Sequence, residues 1–222
     1  MRRIRFIDPV VGATQEDFAG FISSIRDYAA VGTDLSIVGL REGPTSIEAE
    51  LDAARAIPGI LELVKETEEL GFDAVVINCF DDPGLRASRE LVGIPVLGPG
   101  ECALRLAALL GDRIAVLSVG RRTVERLIPR RIRCLGLDGS FASLRRIGLG
   151  VLDLKKNPEE AEAALRDCAK QAQDEDGADV LVLGCTGMTR FAASLYHAVR
   201  IPVVSPAIAA LKTAETLLDM GF

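Results

Sequence analysis

GFDAVVINC (residues 71–79) and GADVLVLGC (residues 177–185) are two copies of one pattern. Each opens on a glycine, places an aspartate two residues on (Asp73, Asp179), runs through an apolar stretch and ends in a cysteine (Cys79, Cys185). Short apolar runs rich in β-branched residues and bounded by turn formers read as strands buried on both faces. The match continues downstream after one inserted residue, where IPVLGPGECALRLAALL (94–110) falls on IPVVSPAIAALKTAETLL (201–218). Pro95 then meets Pro202, and Pro99 meets Pro206. The starts of the halves agree more loosely, RIRFIDP from Arg3 against RIAVLSV from Arg113. A repeat of half the chain means two similar units, with the cysteines at equivalent places in them.

Outward from these stretches, apolar runs alternate with amphipathic helical patterns. Further strands are expected in IRFID (4–8), LSIVGL (35–40), PVLG (95–98), RIAVLSV (113–119) and PVVSP (202–206), with a weaker one between Arg133 and Leu152. Helices are expected over 14–29, 46–70 and 157–176, the second broken or kinked at Pro58, which removes an internal hydrogen bond. Strand, helix, strand in this order implies an α/β fold: two similar domains, each a parallel sheet flanked by helices. A pseudo-twofold axis would relate them, with the active site between. Ligands of open parallel sheets bind at the carboxyl ends of the strands, where both cysteines lie. Two such units facing each other would set the thiols on opposite walls of one cleft.

Composition narrows the function. The 222 residues carry a net charge of -6, which disfavours a nucleic-acid or anionic-membrane partner. One run is arginine-rich (Arg121, Arg122, Arg126, Arg130, Arg131, Arg133, Arg145, Arg146) and reads as a solvated helix face before it reads as an anion site. No signal peptide and no membrane span is expected. Five cysteines without a CxxC pair, and a single histidine, disfavour both a disulfide framework and a zinc site. A reduced, cytoplasmic protein is expected. Cys102, Cys134 and Cys168 lack symmetric partners and read as packing residues, and His197 as a structural or surface residue. No P-loop, dinucleotide fingerprint or strand-end lysine is present, so no cofactor and no metal is expected.

A thiolate removes a proton and a thiol returns one. Flanking a single carbon, the pair moves a proton off one face and onto the other, which inverts the centre. One thiol must be ionised near neutral pH, and the positive end of a following helix would favour that. Asp82 is the expected cap of such a helix, with Pro83 at its first position, and Thr186 or Thr189 is the expected cap after Cys185. Asp81 stands as a candidate site residue. The enolate formed needs donors at its oxygen, and the strand-end groups of Asp8-Pro9, Thr45-Ser46, Ser118-Val119-Gly120 and Thr186-Gly187 are candidates.

NCFDDPGL (78–85), GPTSIE (43–48) and LGCTGM (183–188) together resemble the Asp/Glu/hydantoin racemase superfamily, most closely its hydantoin and allantoin racemase branch. The resemblance implies a cofactor-independent racemase with Cys79 and Cys185 as the acid–base pair. It places substrate contacts at Asp8, Pro9, Ser46, Phe80, Ser118, Thr186 and Gly187. It implies one domain of residues 1–97 plus 207–222, a second of 98–206, and a homo-oligomer. Asp8 departs from the Asn usual in the family, and would repel an anionic substrate or accept a bond from an N–H. Thr186 replaces a common Ala. Phe80-Asp81 and Thr186-Gly187 differ from the Asn-Thr and Thr-Glu that follow the cysteines of aspartate and glutamate racemases. The expected small-molecule substrate is therefore a cyclic ureide, a 5-substituted hydantoin or allantoin. The alternatives are another enolate reaction, of the aspartate/glutamate racemase, maleate isomerase or arylmalonate decarboxylase type, and a non-catalytic small-molecule binding protein.

Overall fold

The computed structural model of the chain describes residues 1–120 and 124–222, the side chain of Val124 aside. Arg121 and Arg122 lie outside the described residues. By its internal contacts the chain divides into two units, Met1–Cys102 with Ala207–Phe222, and Ala103–Pro206.

In the first part of the chain run β1 (Arg2–Asp8), α1 (Gln15–Arg26), β2 (Thr33–Gly39), α2 (Glu50–Glu69), β3 (Ala74–Ile77), α3 (Leu85–Leu91), β4 (Val96–Leu97) and α4 (Pro99–Ala107). Then follow β5 (Ile114–Ser118), α5 (Val124–Cys134), β6 (Phe141–Arg146), α6 (Asp153–Lys156), α7 (Pro158–Asp174), β7 (Val180–Leu183), α8 (Ala192–Val199), β8 (Val203–Val204) and α9 (Pro206–Asp219). One sheet has the order β2-β1-β3-β4 and the other β6-β5-β7-β8, every pairing parallel. The weak strand expected between Arg133 and Leu152 is β6.

The repeat is visible bond by bond. Ile4 to Ile7 pair with Ala74 to Ile77, as Ile114 to Leu117 pair with Val180 to Leu183. The aspartates of the repeat hold the strand starts. Asp73 accepts from the Arg3 N–H at 2.6 Å, and Asp179 accepts from the N–H groups of Asp112 and Arg113 at 3.0 and 2.9 Å. The glycines that open the repeat have φ of +74° (Gly71) and +66° (Gly177), a conformation that strains any residue with a Cβ. The Arg3 and Arg113 side chains donate to the carbonyls of these same two glycines.

Each sheet packs a helix with a regular apolar face. On α2, Ala56, Ile60, Leu63 and Val64 meet Ile7, Val75 and Ile77. On α7, Ala161, Leu165, Ala169 and Ala172 meet Ala115, Leu117, Leu181 and Leu183. The spacing of three and four puts these side chains on one helix face. Of the central strands, β3, β5 and β7 are buried along their length because helices cover both faces. Glu215 of α9 ties that helix to the β1–β2 connection, accepting from Ala30 N–H and Thr33 Oγ1 at 2.7 Å each.

Two local expectations are corrected. The second helix begins at Glu50 and not at Ser46, since Ala49 is still extended (φ -150°, ψ 162°) and Asp52 accepts from the Glu48 N–H. It also runs unbroken past Pro58. Pro58 and Ala54, whose carbonyl loses its donor, are both exposed, so water can replace the missing bond. The arginine-rich run divides. Arg145 pairs with Glu175 and Asp176, and Arg146 with Glu125. Arg126, Arg130 and Arg133 lie on the exposed side of α5, whose Ile128 and Ile132 are buried.

Candidate active site

In each sheet the chain leaves the first strand toward one edge and returns to build the other, so the order reverses between β1 and β3, and between β5 and β7. Such a reversal opens a crevice at the carboxyl ends of the two strands. Asp8 ends β1 and Cys79 lies two residues beyond β3; Ser118 ends β5 and Cys185 lies two residues beyond β7. The N–H groups of Asn78 and Gly184 extend the ladders by one bond each, to Ile7 O and Leu117 O, both at 2.7 Å. Each cysteine carbonyl then closes a turn, accepting from Asp82 N–H or Met188 N–H at 3.1 Å. Both thiols are partly buried, Cys79 against the core that includes Ile7 and Ile77, Cys185 against the one that includes Leu117 and Leu183.

The continuations differ. Cys185 is the N-cap of a 3₁₀ helix, Thr186–Phe191, whereas α3 starts only at Leu85 with Gly84 as its cap. Asp82 is therefore not the cap of the next helix. It takes φ +44°, and its carboxylate accepts from Gly100 and Glu101 N–H at 2.9 and 2.8 Å, capping α4. The reason is visible at Gly98, which precedes α4 and has no side chain to cap with. A Cβ on Gly98 would lie 2.4 Å from the Asp82 carboxyl carbon. The other unit makes the same loop-to-loop connection with hydroxyls. Thr189 Oγ1 donates to Thr186 O and lies 3.0 Å from the hydroxyl of Ser205, so it braces the turn and caps no helix. Neither connection was read from the sequence. The signal was the interruption of the repeat, Gly98 standing where the other copy has Ser205.

The remaining residues divide between the units. Pro9 and Phe80 are buried, and Asp81 is partly exposed beside Cys79. Ser46 lies in the loop after β2, with its hydroxyl 3.5 Å from Glu48. In the other unit Ser118 and Val119 are buried, and the Gly120 N–H is engaged by Leu149 O at 2.8 Å. Gly187 is exposed, and a Cβ there would stand 3.6 Å from Cys185 Sγ, so glycine leaves the thiol's surroundings open. Cys102 is buried, and its thiol is pushed up to about 12 by desolvation, which keeps it inert. Burial also raises Cys168, whose thiol lies 3.6 Å from Arg146 O. His197 stacks edge-on against Tyr196 within α8. Among the described residues no three His, Cys, Asp or Glu side chains gather as metal ligands, and no helix is long and apolar enough to cross a membrane. A surface depression of about 720 Å³ lined by Arg41, Arg55 and Glu62 includes neither Cys79 nor Cys185.

Burial pushes the Asp8 carboxyl up to about 7, and Asp17 adds to the shift. The unfolded chain loses this proton near 3.8, so between there and about 7 the native state holds a proton that the unfolded state has released. Asp8 therefore favours the folded state fully below that range, and its contribution is lost as pH rises, at up to about 1.4 kcal/mol per pH unit. Asp8→Asn removes the dependence. Urea midpoints compared from about pH 4 to about pH 8 should diverge in favour of the variant up to neutrality and then run parallel.

The family model for Asp/Glu/hydantoin racemases matches residues 6–214. A hydantoin racemase of Pseudomonas sp. (strain NS671) is 36% identical over 219 residues, covering 99% of this chain and 87% of that protein. Among solved structures, the allantoin racemase from Klebsiella pneumoniae superposes with a TM-score of 0.94 at 33% identity, covering 100% of this chain and 89% of the other. The allantoin racemase from Pseudomonas fluorescens gives a TM-score of 0.91 at 30% identity, covering 99% of this chain and 92% of the other. The chain belongs to the Asp/Glu/hydantoin racemase family, and its enzyme class is that of an isomerase, a racemase.

Proposed function

We propose that the chain racemises a cyclic ureide, a 5-substituted hydantoin or allantoin, by proton transfer between Cys79 and Cys185 on opposite faces of the chiral carbon. The observation that carries this reading is the equivalence of the two cysteines. Each stands two residues past the third strand of its sheet, at the strand-order reversal, partly buried and followed by the same turn. A reversible inversion treats both enantiomers alike and calls for two like groups. The names of the relatives support the ureide.

One thiolate takes the C5 proton, the negative charge passes to the adjacent carbonyl oxygen as an enolate, and the other thiol returns a proton to the opposite face. No bond to the protein forms, and the thiols exchange protonation states with each turnover. Strand-end hydroxyl and amide groups orient the ring and stabilise the enolate oxygen in this reading.

Decay of optical activity in single enantiomers of allantoin and several 5-substituted hydantoins, beside aspartate and glutamate, tests the proposal. The expected result is decay to zero rotation with the ureides alone. Decay with the amino acids and none with the ureides would overturn the substrate assignment.

A further inference from the structure

We propose that Asp8 is a specificity-determining residue that admits substrates with an uncharged 5-substituent and rejects those carrying a carboxylate. This rests on the function proposed above and names the charge class of substrate the site takes.

The argument starts from position. Asp8 is the last residue of β1, paired with Gly39 on one side and beside Asn78 on the other, one residue from Cys79. The equivalent residue of the repeat, Ser118, carries a hydroxyl that donates to Val119 O at 3.1 Å. The two strand ends that border the thiols are thus chemically unequal: one bears an ionisable acid and the other a hydroxyl. A partly buried acid at a strand-order reversal costs stability, which the fold tolerates where a ligand uses it.

Among the described residues, the influences on Asp8 are burial and the Asp17 carboxylate, and no cation offsets them. Gly39 from β2 and Asn78 from β3 are uncharged, and Cys79 is the next titratable group on that side. From α1, which packs on the face of Phe6 through Phe21, the facing charge is Asp17, an acid. The charged groups of α9 are engaged at the other end of the strands, Glu215 with Ala30 and Thr33, Lys212 with Tyr28, Asp219 with Arg2. The α2 helix covers the opposite face through Ile7 and Ile77. Asp8 is therefore neutral below about pH 7 and able to donate a hydrogen bond, and above it becomes an anion in a low-dielectric setting. An anionic substituent held nearby is then repelled, while a neutral ureide still offers it N–H groups to accept from.

The test uses a pair matched in size, 5-carbamoylmethylhydantoin and 5-carboxymethylhydantoin, with the full chain and with Asp8→Asn and Asp8→Ser. The readout is the ratio of the two kcat/KM values at about pH 6 and about pH 8. Taking the ratio cancels the titration of the thiols and of the ring, which both substrates share. The expected preference for the amide is about tenfold at the higher pH and shrinks toward the lower, whereas both variants give a small ratio that does not change with pH. Asp8→Ser copies the other unit and guards against a folding defect peculiar to Asn. A preference that is independent of pH in the wild type, or that survives unchanged in both variants, overturns the inference alone. Failure of the wild type to exchange the C5 proton of either compound overturns the proposed function with it.

Discussion

Serine in place of Cys79 is expected to lower kcat/KM for racemisation by about 10²- to 10⁴-fold, and serine in place of Cys185 to do the same. A hydroxyl is far too weak an acid to ionise near neutrality, so either variant loses one member of the pair. In the proposed mechanism each thiol is the base for one enantiomer and the acid for the other, so both directions should fall together in either variant. The exchange of sulfur for oxygen is nearly isosteric and both sites are only partly buried, so the fold survives. Cys134, exposed at the end of α5, provides the control, and Cys134→Ser leaves the rate within about twofold, the scatter expected of a surface change. Polarimetric rates on both enantiomers, with circular dichroism to verify folding, make the measurement. A variant keeping more than about a tenth of the activity, far above the acid–base range, would assign the proton transfer elsewhere.

The largest structural effect is expected at Asp82. Asp82→Ala removes both acceptors that cap α4 and leaves the Gly100 and Glu101 N–H groups without them at the helix start. Hydrogen bonds to a charged acceptor contribute about 1.5–3 kcal/mol each, so the loss should reach about 3 kcal/mol. The backbone N–H of residue 82, bonded to Cys79 O, remains in the variant, but without the carboxylate anchor an alanine at φ +44° is strained, so the turn that positions the thiol loosens as well. Activity should fall with stability, by about tenfold for a misplacement of well under an ångström. Gly98→Ala should act through the same connection, because its Cβ would meet the Asp82 carboxylate at 2.4–2.5 Å and Leu85 Cδ2 at 2.6 Å. Thr189→Ala, in the equivalent connection, loses only neutral hydrogen bonds and should cost about 1 kcal/mol. Thermal and urea unfolding of the three variants gives the order. Equal losses at Asp82 and Thr189 would mean that the carboxylate cap is worth no more than a hydroxyl contact.

How far the sequence discloses this molecule depends on the range of the interaction that decides each feature. The strands were legible because an apolar run between turn residues needs no distant information, and the repeat made Cys79 and Cys185 stand out together. The repeat also marked Asp73 and Asp179, although their work, holding the starts of β1 and β5, belongs to pairings far apart in the chain. Asp82 was misread for the same reason. Asp-Pro before an apolar run is a local capping signal, but the helix it serves starts 17 residues later and lacks a cap of its own. Pro58 was overvalued because its effect depends on which side of the helix meets water. Asp8 was legible as a site candidate by its place at a strand end. Its protonation was not, since that follows from burial and from Asp17, which only the folded chain brings to bear.

The account's central claim is that two thiols, and not one, handle the proton. The most direct test is racemisation of a single ureide enantiomer in deuterated buffer, with the isotope at C5 followed separately in remaining substrate and early product. In the proposed mechanism the thiolate–thiol pair carries one proton before substrate binds and exchanges it with solvent between turnovers. Two-thiol transfer therefore predicts that product formed in the first few per cent of reaction is fully deuterated, while remaining substrate still carries protium. Product that retains the substrate's own proton would show a single base delivering it back across the ring, and would contradict the account.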